Sequence, residues 1–214
     1  QELKTRDTGK ESIVSIVLRL DGIENRIKEC LKSIQEHTLE PHELLLIDCG
    51  ATKGMLKWAR QLIKDKGHYH IIECAGQTGW AEALNQAIQK AGGEIIVLMH
   101  NDVVVPEDWL KAFKMCIKLE PNIGVVGPMS NQAAGIQQLM DTDELERVEF
   151  ESAAKVFREQ NEYRRVPTRK ISDFCLAFRR ELPDKIGYFD EQFASEEVIV
   201  EDFCNRAVSG GYQN

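Results

Sequence analysis

The chain has no apolar run approaching the roughly 20 residues needed to span a bilayer, and no charged start, apolar middle and small-residue cleavage site of a secretory signal. It has no Cys-x-x-Cys pair. Cys30, Cys49, Cys74, Cys116, Cys175 and Cys204 stand apart, at spacings that fit no zinc site. Most lie in apolar segments, so buried free thiols and a reducing, cytoplasmic compartment are expected, with any membrane association peripheral and made by parts of the protein outside this chain. Positive charge is also short: 27 Lys and Arg against 35 Asp and Glu leave a net charge of −8. That argues against nucleic-acid partners and against an anionic membrane surface, though a local metal can still reverse the sign of one site. Among the histidines (His37, His42, His68, His70, His100), none has ligand spacing except His100 beside Asn101-Asp102. There is no internal repeat and no low-complexity tract.

What remains is ordinary for a soluble globular chain: 214 residues, 43% hydrophobic and 29% charged, enough for one domain with a substantial core. A start at Gln1 and a stop at Asn214, just after Gly210-Gly211, suggest a domain cut from a longer protein. Residues 1–11 read as a loose tail.

From Ser12 to Val126 the pattern alternates. Strand readings fall at Ser12–Leu20, Glu43–Ile47, Tyr69–Glu73, Glu94–Met99 and Ile123–Val126. Helical spacing of apolar residues falls between them, at Arg26–Glu36, Met55–Ile63, Trp80–Ala91 and Glu107–Leu119. This predicts an α/β fold with a parallel sheet covered on both faces. Beyond residue 127 the pattern breaks. Asp141–Gln160 is dense in charge and reads as a solvated helix or loop. Ile171–Arg179 reads as a strand, Leu182–Phe189 as a short helix ended by Gly187, and Val200–Val208 as a final helix.

The chemistry-bearing residues cluster where strands end. Ile95-Ile96-Val97-Leu98-Met99 runs into His100-Asn101-Asp102, and ligands of open α/β sheets bind beyond the carboxyl ends of strands. Asp102 there can hold a divalent metal, or merely begin a turn before Pro106. Asp48 ends the second strand and can accept hydrogen bonds from a base or ribose, or cap the turn that follows. Gly79, with Ala81 and Ala83, opens a helix whose first amides suit a phosphate, and Asn85 shares that face. Glu196, Glu197, Glu201 and Asp202 offer a general base, or compensation of a helix dipole, with Arg206 four residues past Asp202 as its ion-pair partner. Trp80 and Trp109 sit on apolar helical faces and read as core.

Taken in order, these segments resemble an inverting family 2 glycosyltransferase with the GT-A fold. Val14-Ser15-Ile16-Val17 is similar to the family's opening strand, followed by Arg19-Leu20-Asp21-Gly22 where Pro-x-Tyr-Asn is usual. Asp48-Cys49-Gly50-Ala51-Thr52-Lys53-Gly54 resembles Asp-x-Gly-Ser-Thr-Asp-Gly. Gln77-Thr78-Gly79-Trp80-Ala81-Glu82-Ala83-Leu84-Asn85 resembles Asn-x-Gly-x-Ala-x-Ala-x-Asn, and His100-Asn101-Asp102 stands at the metal motif. Phe174–Arg180 resembles the acceptor-side strand, Ile186–Glu191 the Val-Gly-x-Phe-Asp-Glu motif, and Glu201–Ala207 the helix that carries the base.

The resemblance implies a mostly parallel, Rossmann-like sheet with a mixed acceptor-side part: a nucleotide-sugar half over 12–127 and an acceptor and catalytic-base half over 128–214. It implies transfer of a sugar from a nucleotide-diphosphate sugar to a hydroxyl of a glycan, lipid-linked or polymer acceptor, with inversion. Leu18, Leu20, Asp48, Gly79, Ala83, Asn85 and Asn101 would line the nucleotide sugar. Asp102 and His100 would hold Mn²⁺ or Mg²⁺, imidazole favouring the former. Asp202 or Glu201 would be the base. The family's Glu-Asp pair lies further ahead of its Arg, at positions equivalent to Ile199 and Val200, so Glu197 is also within reach by a loop shift. The alternative reading is a catalytically impaired module that binds nucleotide sugar or serves assembly.

Overall fold

A computed structural model describes residues 12–74, 78–133, 135–139, 147–162 and 164–214. The predicted tail 1–11, Gln77 of the third motif and part of the charged stretch 141–160 lie outside the described residues. In chain order the elements are β1 (Val14–Arg19), α1 (Glu24–His37), β2 (His42–Asp48), α2 (Lys53–Ile63), β3 (Tyr69–Glu73), α3 (Trp80–Lys90), β4 (Ile95–Met99), α4 (Trp109–Leu119) and β5 (Val125–Val126). Then follow α5 (Arg147–Gln160), β6 (Cys175–Arg179), α6 (Leu182–Ile186) and α7 (Glu196–Ser209).

The strands form one six-stranded sheet in the order β3-β2-β1-β4-β6-β5. β1, β2, β3 and β4 pair in parallel, and β6 runs antiparallel to both β4 and β5. Because side chains alternate across a strand, the sheet sorts its apolar residues into two cores. Ile16, Leu18, Leu44, Leu46, Val97 and Met99 face α1, α2 and α4. Val17, Leu45, Ile47, Ile96, Leu98 and Phe178 face α3 and α7. Burial on both faces explains why β4 reads as an unbroken apolar run. From β1 the chain winds outward to β2 and β3, then crosses to β4 on the other side. The carboxyl ends of β1 and β4 therefore flank a topological switch point, where a crevice opens.

Three local differences from the sequence reading have clear causes. Ile123 makes only an isolated bridge to Gln213, so β5 shrinks to two residues. The strand expected from Ile171 forms ladder pairs only from Cys175, where it meets Met99. α7 starts at Glu196 rather than Val200, because Ser195 O accepts from Ile199 N at 3.0 Å and two acids fill the positive first turn. Gly187 does end α6, at φ 89°, with its N donating to Pro183 O. All six cysteines are free. Cys30, Cys175 and Cys204 are buried, whereas Cys49, Cys74 and Cys116 are half-buried.

Candidate functional site

Asp48 ends β2, and its Oδ1 accepts from Gly50 N at 3.1 Å and Ala51 N at 2.8 Å. That is an Asx turn, and Gly50 takes the positive φ of 121° that the turn requires. At the end of β4, Asn101 Nδ2 donates to Arg19 O at 3.1 Å and to Asp21 O, tying the ends of β4 and β1 together. Asp102 is half-exposed and lies 3.5 Å from Arg26 Nη1. Leu18 and Leu20 are buried in the core and neither lines the crevice. Gly79 is exposed as the N-cap of α3, and Ala83 is buried one turn further along, between helix and sheet.

Asn85 is 6% exposed and fully engaged. Its Nδ2 donates to Phe189 O and to Glu191 Oε1, both at 2.9 Å, and its Oδ1 accepts from Phe189 N at 3.0 Å. Its amide thus braces the 187–191 segment against α3. Asn85→Ala strands the Phe189 amide and carbonyl and should cost about 2–3 kcal/mol, read by urea unfolding. A loss below about 0.5 kcal/mol would contradict this bracing role.

The acids of α7 divide into three uses. Asp202 Oδ2 is held by Arg206 Nε and Nη2 at 2.8 Å, while Arg206 also donates to the carbonyls of Ile186, Gly187 and Tyr188. Glu197 and Glu201 both bind Lys170 Nζ at 2.8 Å on the exposed side of the helix. Glu196 alone turns into the cleft. Its Oε1 receives Arg19 Nη1, and its Oε2 lies 3.4 Å from His100 Nε2. Asp173, just before β6, approaches the same nitrogen at 3.7 Å. His100, Asp173 and Glu196 together offer three ligand atoms within 4.8 Å of one another.

Glu196 raises the imidazole pKa of His100, helped by the Asp173 charge, against a burial that lowers it. Reciprocally, His100 first and then Arg19 hold the Glu196 carboxyl below the usual carboxylate range, against its own desolvation. Glu196 is thus an ionised carboxylate in a crevice lined by Val17, Trp80, Leu98, His100 and Asp173. Trp80 is not a simple core residue. It is half-buried, and the Arg19 guanidinium stacks 4.5 Å from its ring centroid. Trp109, by contrast, is buried and donates to Thr38 Oγ1.

The sequence reading missed Arg19 and Asp173 as cleft residues. In the sequence Arg19 marks only a departure from the family's usual turn, and Asp173 carries no signal. Glu196 belongs to the acidic cluster, but the resemblance points past it to Glu201-Asp202.

This switch-point crevice and sheet order define a GT-A glycosyltransferase fold. The sequence matches glycosyl transferase family 2 over residues 13–187, and the chain belongs to that family. A mannosyltransferase from Pyrobaculum calidifontis, PcManGT, solved with GDP-Man and Mn²⁺, superposes with a TM-score of 0.68 at 21% identity, over 97% of this chain and 55% of that one. GalNAc-T7, solved with UDP, GalNAc and Mn²⁺, gives a TM-score of 0.71 at 14% identity, over 100% of this chain and 45% of its own. The poly-β-1,6-N-acetyl-D-glucosamine synthase of Staphylococcus aureus is 22% identical over 190 residues, 87% of this chain and 44% of that protein. The chain spans between 23% and 44% of the length of the first curated relatives it matches. No helix among the described residues is long and apolar enough to cross a membrane.

Proposed function

We propose that this domain transfers a sugar from a nucleotide-diphosphate sugar to an acceptor hydroxyl, with inversion, and that Glu196 is the general base. The observation that carries this is the position of Glu196: an ionised carboxylate at the head of α7, facing the crevice at the carboxyl ends of β1 and β4. Asp202 and Glu201, the carboxylates the family resemblance points to, are already engaged by Arg206 and Lys170. Glu196 takes the proton of the acceptor hydroxyl. The acceptor oxygen then forms its bond to the anomeric carbon as the bond from that carbon to the phosphate oxygen breaks. The nucleoside diphosphate leaves with the electron pair.

The donor lies along the strand ends, with its nucleoside toward the Asp48 turn and its diphosphate near Gly79 and Asn101. The residues present fit a divalent cation. His100 Nε2 is buried without a hydrogen-bond partner, and carboxylates surround it. His100 and Asp102 would hold Mn²⁺ or Mg²⁺, with Asp173 as a further donor. Glu196, the third member of that cluster, is reserved for the acceptor hydroxyl. When bound, the cation neutralises charge on the departing diphosphate. The acceptor is a glycan, lipid-linked or polymer hydroxyl, and the name of the Staphylococcus aureus synthase supports the polymer.

A donor screen with Mn²⁺ tests the reading. UDP- and GDP-sugars are incubated with the protein and release of the nucleoside diphosphate is followed. Release from at least one donor is expected. Tight donor binding with no release from any donor, with acceptors supplied, would favour a binding module instead.

A further inference from the structure

Among the described residues, three side-chain nitrogen or oxygen atoms are buried with no hydrogen-bond partner: Ser12 Oγ, Arg19 Nε and His100 Nε2. Two of the three belong to residues that both reach Glu196, Arg19 at the end of β1 and His100 just past β4. A buried donor left unmade costs roughly 1–3 kcal/mol, so Arg19 Nε marks a place open to a further acceptor. Arg19 is otherwise committed. Its Nη1 binds Glu196, its Nη2 binds Asp21, and its guanidinium plane lies on Trp80. Arg19 therefore occupies the carboxylate that the reaction needs free.

We propose that Arg19 is a donor-sensing latch, which holds Glu196 in the empty cleft and swings onto the diphosphate when the nucleotide sugar binds. This rests on the reading above that the cleft takes a nucleoside diphosphate. A diphosphate presents more acceptor oxygens and more charge than one carboxylate, and the guanidinium fork matches phosphate geometry in two-point contacts. Trp80 keeps the arginine plane in the cleft through the exchange, and Asp21 keeps one of its nitrogens paired. The exchange frees the Glu196 carboxylate to accept the hydroxyl proton only once a donor is in place. The order of events, donor before acceptor activation, is thereby built into one side chain.

The test is a calorimetric titration of UDP and of GDP, each with Mn²⁺, into wild type, Arg19→Gln and Glu196→Gln. Arg19→Gln should weaken the better nucleotide at least about tenfold, the loss of charge-assisted hydrogen bonds. Glu196→Gln should tighten it several-fold, because Arg19 loses its internal competitor. The tightening should vanish in the double variant Arg19→Gln/Glu196→Gln, which separates release of Arg19 from the mere removal of a negative charge beside an anion. Should Arg19→Gln fail to fold, Arg19→Lys takes its place in both variants, keeping the charge but not the two-point fork. Wild-type binding with unchanged affinity in Glu196→Gln would overturn the latch and leave the transferase reading standing. Wild type binding neither nucleotide would remove both.

Discussion

Glu196→Gln should abolish turnover while leaving the fold intact and nucleotide binding no weaker than in wild type. Amide for carboxylate is isosteric, so Arg19 keeps a hydrogen-bond acceptor and the head of α7 keeps its packing. What disappears is the proton acceptor, and removal of a positioned general base costs roughly 10²–10⁴ in rate. The informative contrast is Asp202→Asn. Asp202 sits in a charge-paired fork with Arg206, whose other donors clamp the carbonyls of residues 186–188. Its loss should lower the unfolding midpoint and leave most of the turnover. The two variants are compared by initial rate with the accepted donor, and by thermal unfolding. If Asp202→Asn were the inactive one and Glu196→Gln remained active, the base would be Asp202 and not Glu196.

Metal removal should have an effect of similar size. Stabilising a departing diphosphate by a cation is worth several kcal/mol, so chelation should slow transfer by at least about a hundredfold. The loss should be restored by Mn²⁺ in excess of the chelator. Binding gives an independent readout: Mn²⁺ titrated into the nucleotide-bound protein, followed by the electron spin resonance of the free ion. Asp102→Ala and His100→Ala should each weaken Mn²⁺ by at least about tenfold, the scale seen when ligand shells are disturbed. Undiminished turnover with chelator, together with unchanged Mn²⁺ binding in both variants, would show that charge from Arg19 and His100 suffices and that the cation has no part.

The sequence displays the sheet well and the site less well, for different reasons. β2 and β4 are apolar runs bounded by polar residues, and burial on both faces leaves no other arrangement for them. Asp48, Asn101 and Asp102 could be placed at the carboxyl ends of strands because they close or follow such runs. β5 and β6 were overdrawn, since apolar character continues at Ile123 and Ile171 beyond the ladder itself. Asn85 lies on the predicted face of α3, yet its partners Phe189 and Glu191 come from more than a hundred residues away, and no spacing reports such a contact. The same holds for Glu196. Four acids lie within seven positions of one helix, and which of its sides packs on the sheet separates the one facing His100 from those facing Lys170 and Arg206. Helix boundaries depend on caps and first-turn charge, and the early start of α7 changed which acid entered the cleft.

The most direct measurement is amide chemical-shift mapping of the isotope-labelled protein, with UDP and GDP titrated in the presence of Mg²⁺, which avoids paramagnetic broadening. The account predicts that at least one nucleotide shifts the amides of residues 19–22, 48–51, 79–80 and 100–102, the four strand and helix ends around the switch point. Saturating binding that instead moved amides on the far ends of the strands, or no shift with either nucleotide, would contradict a donor site in this cleft.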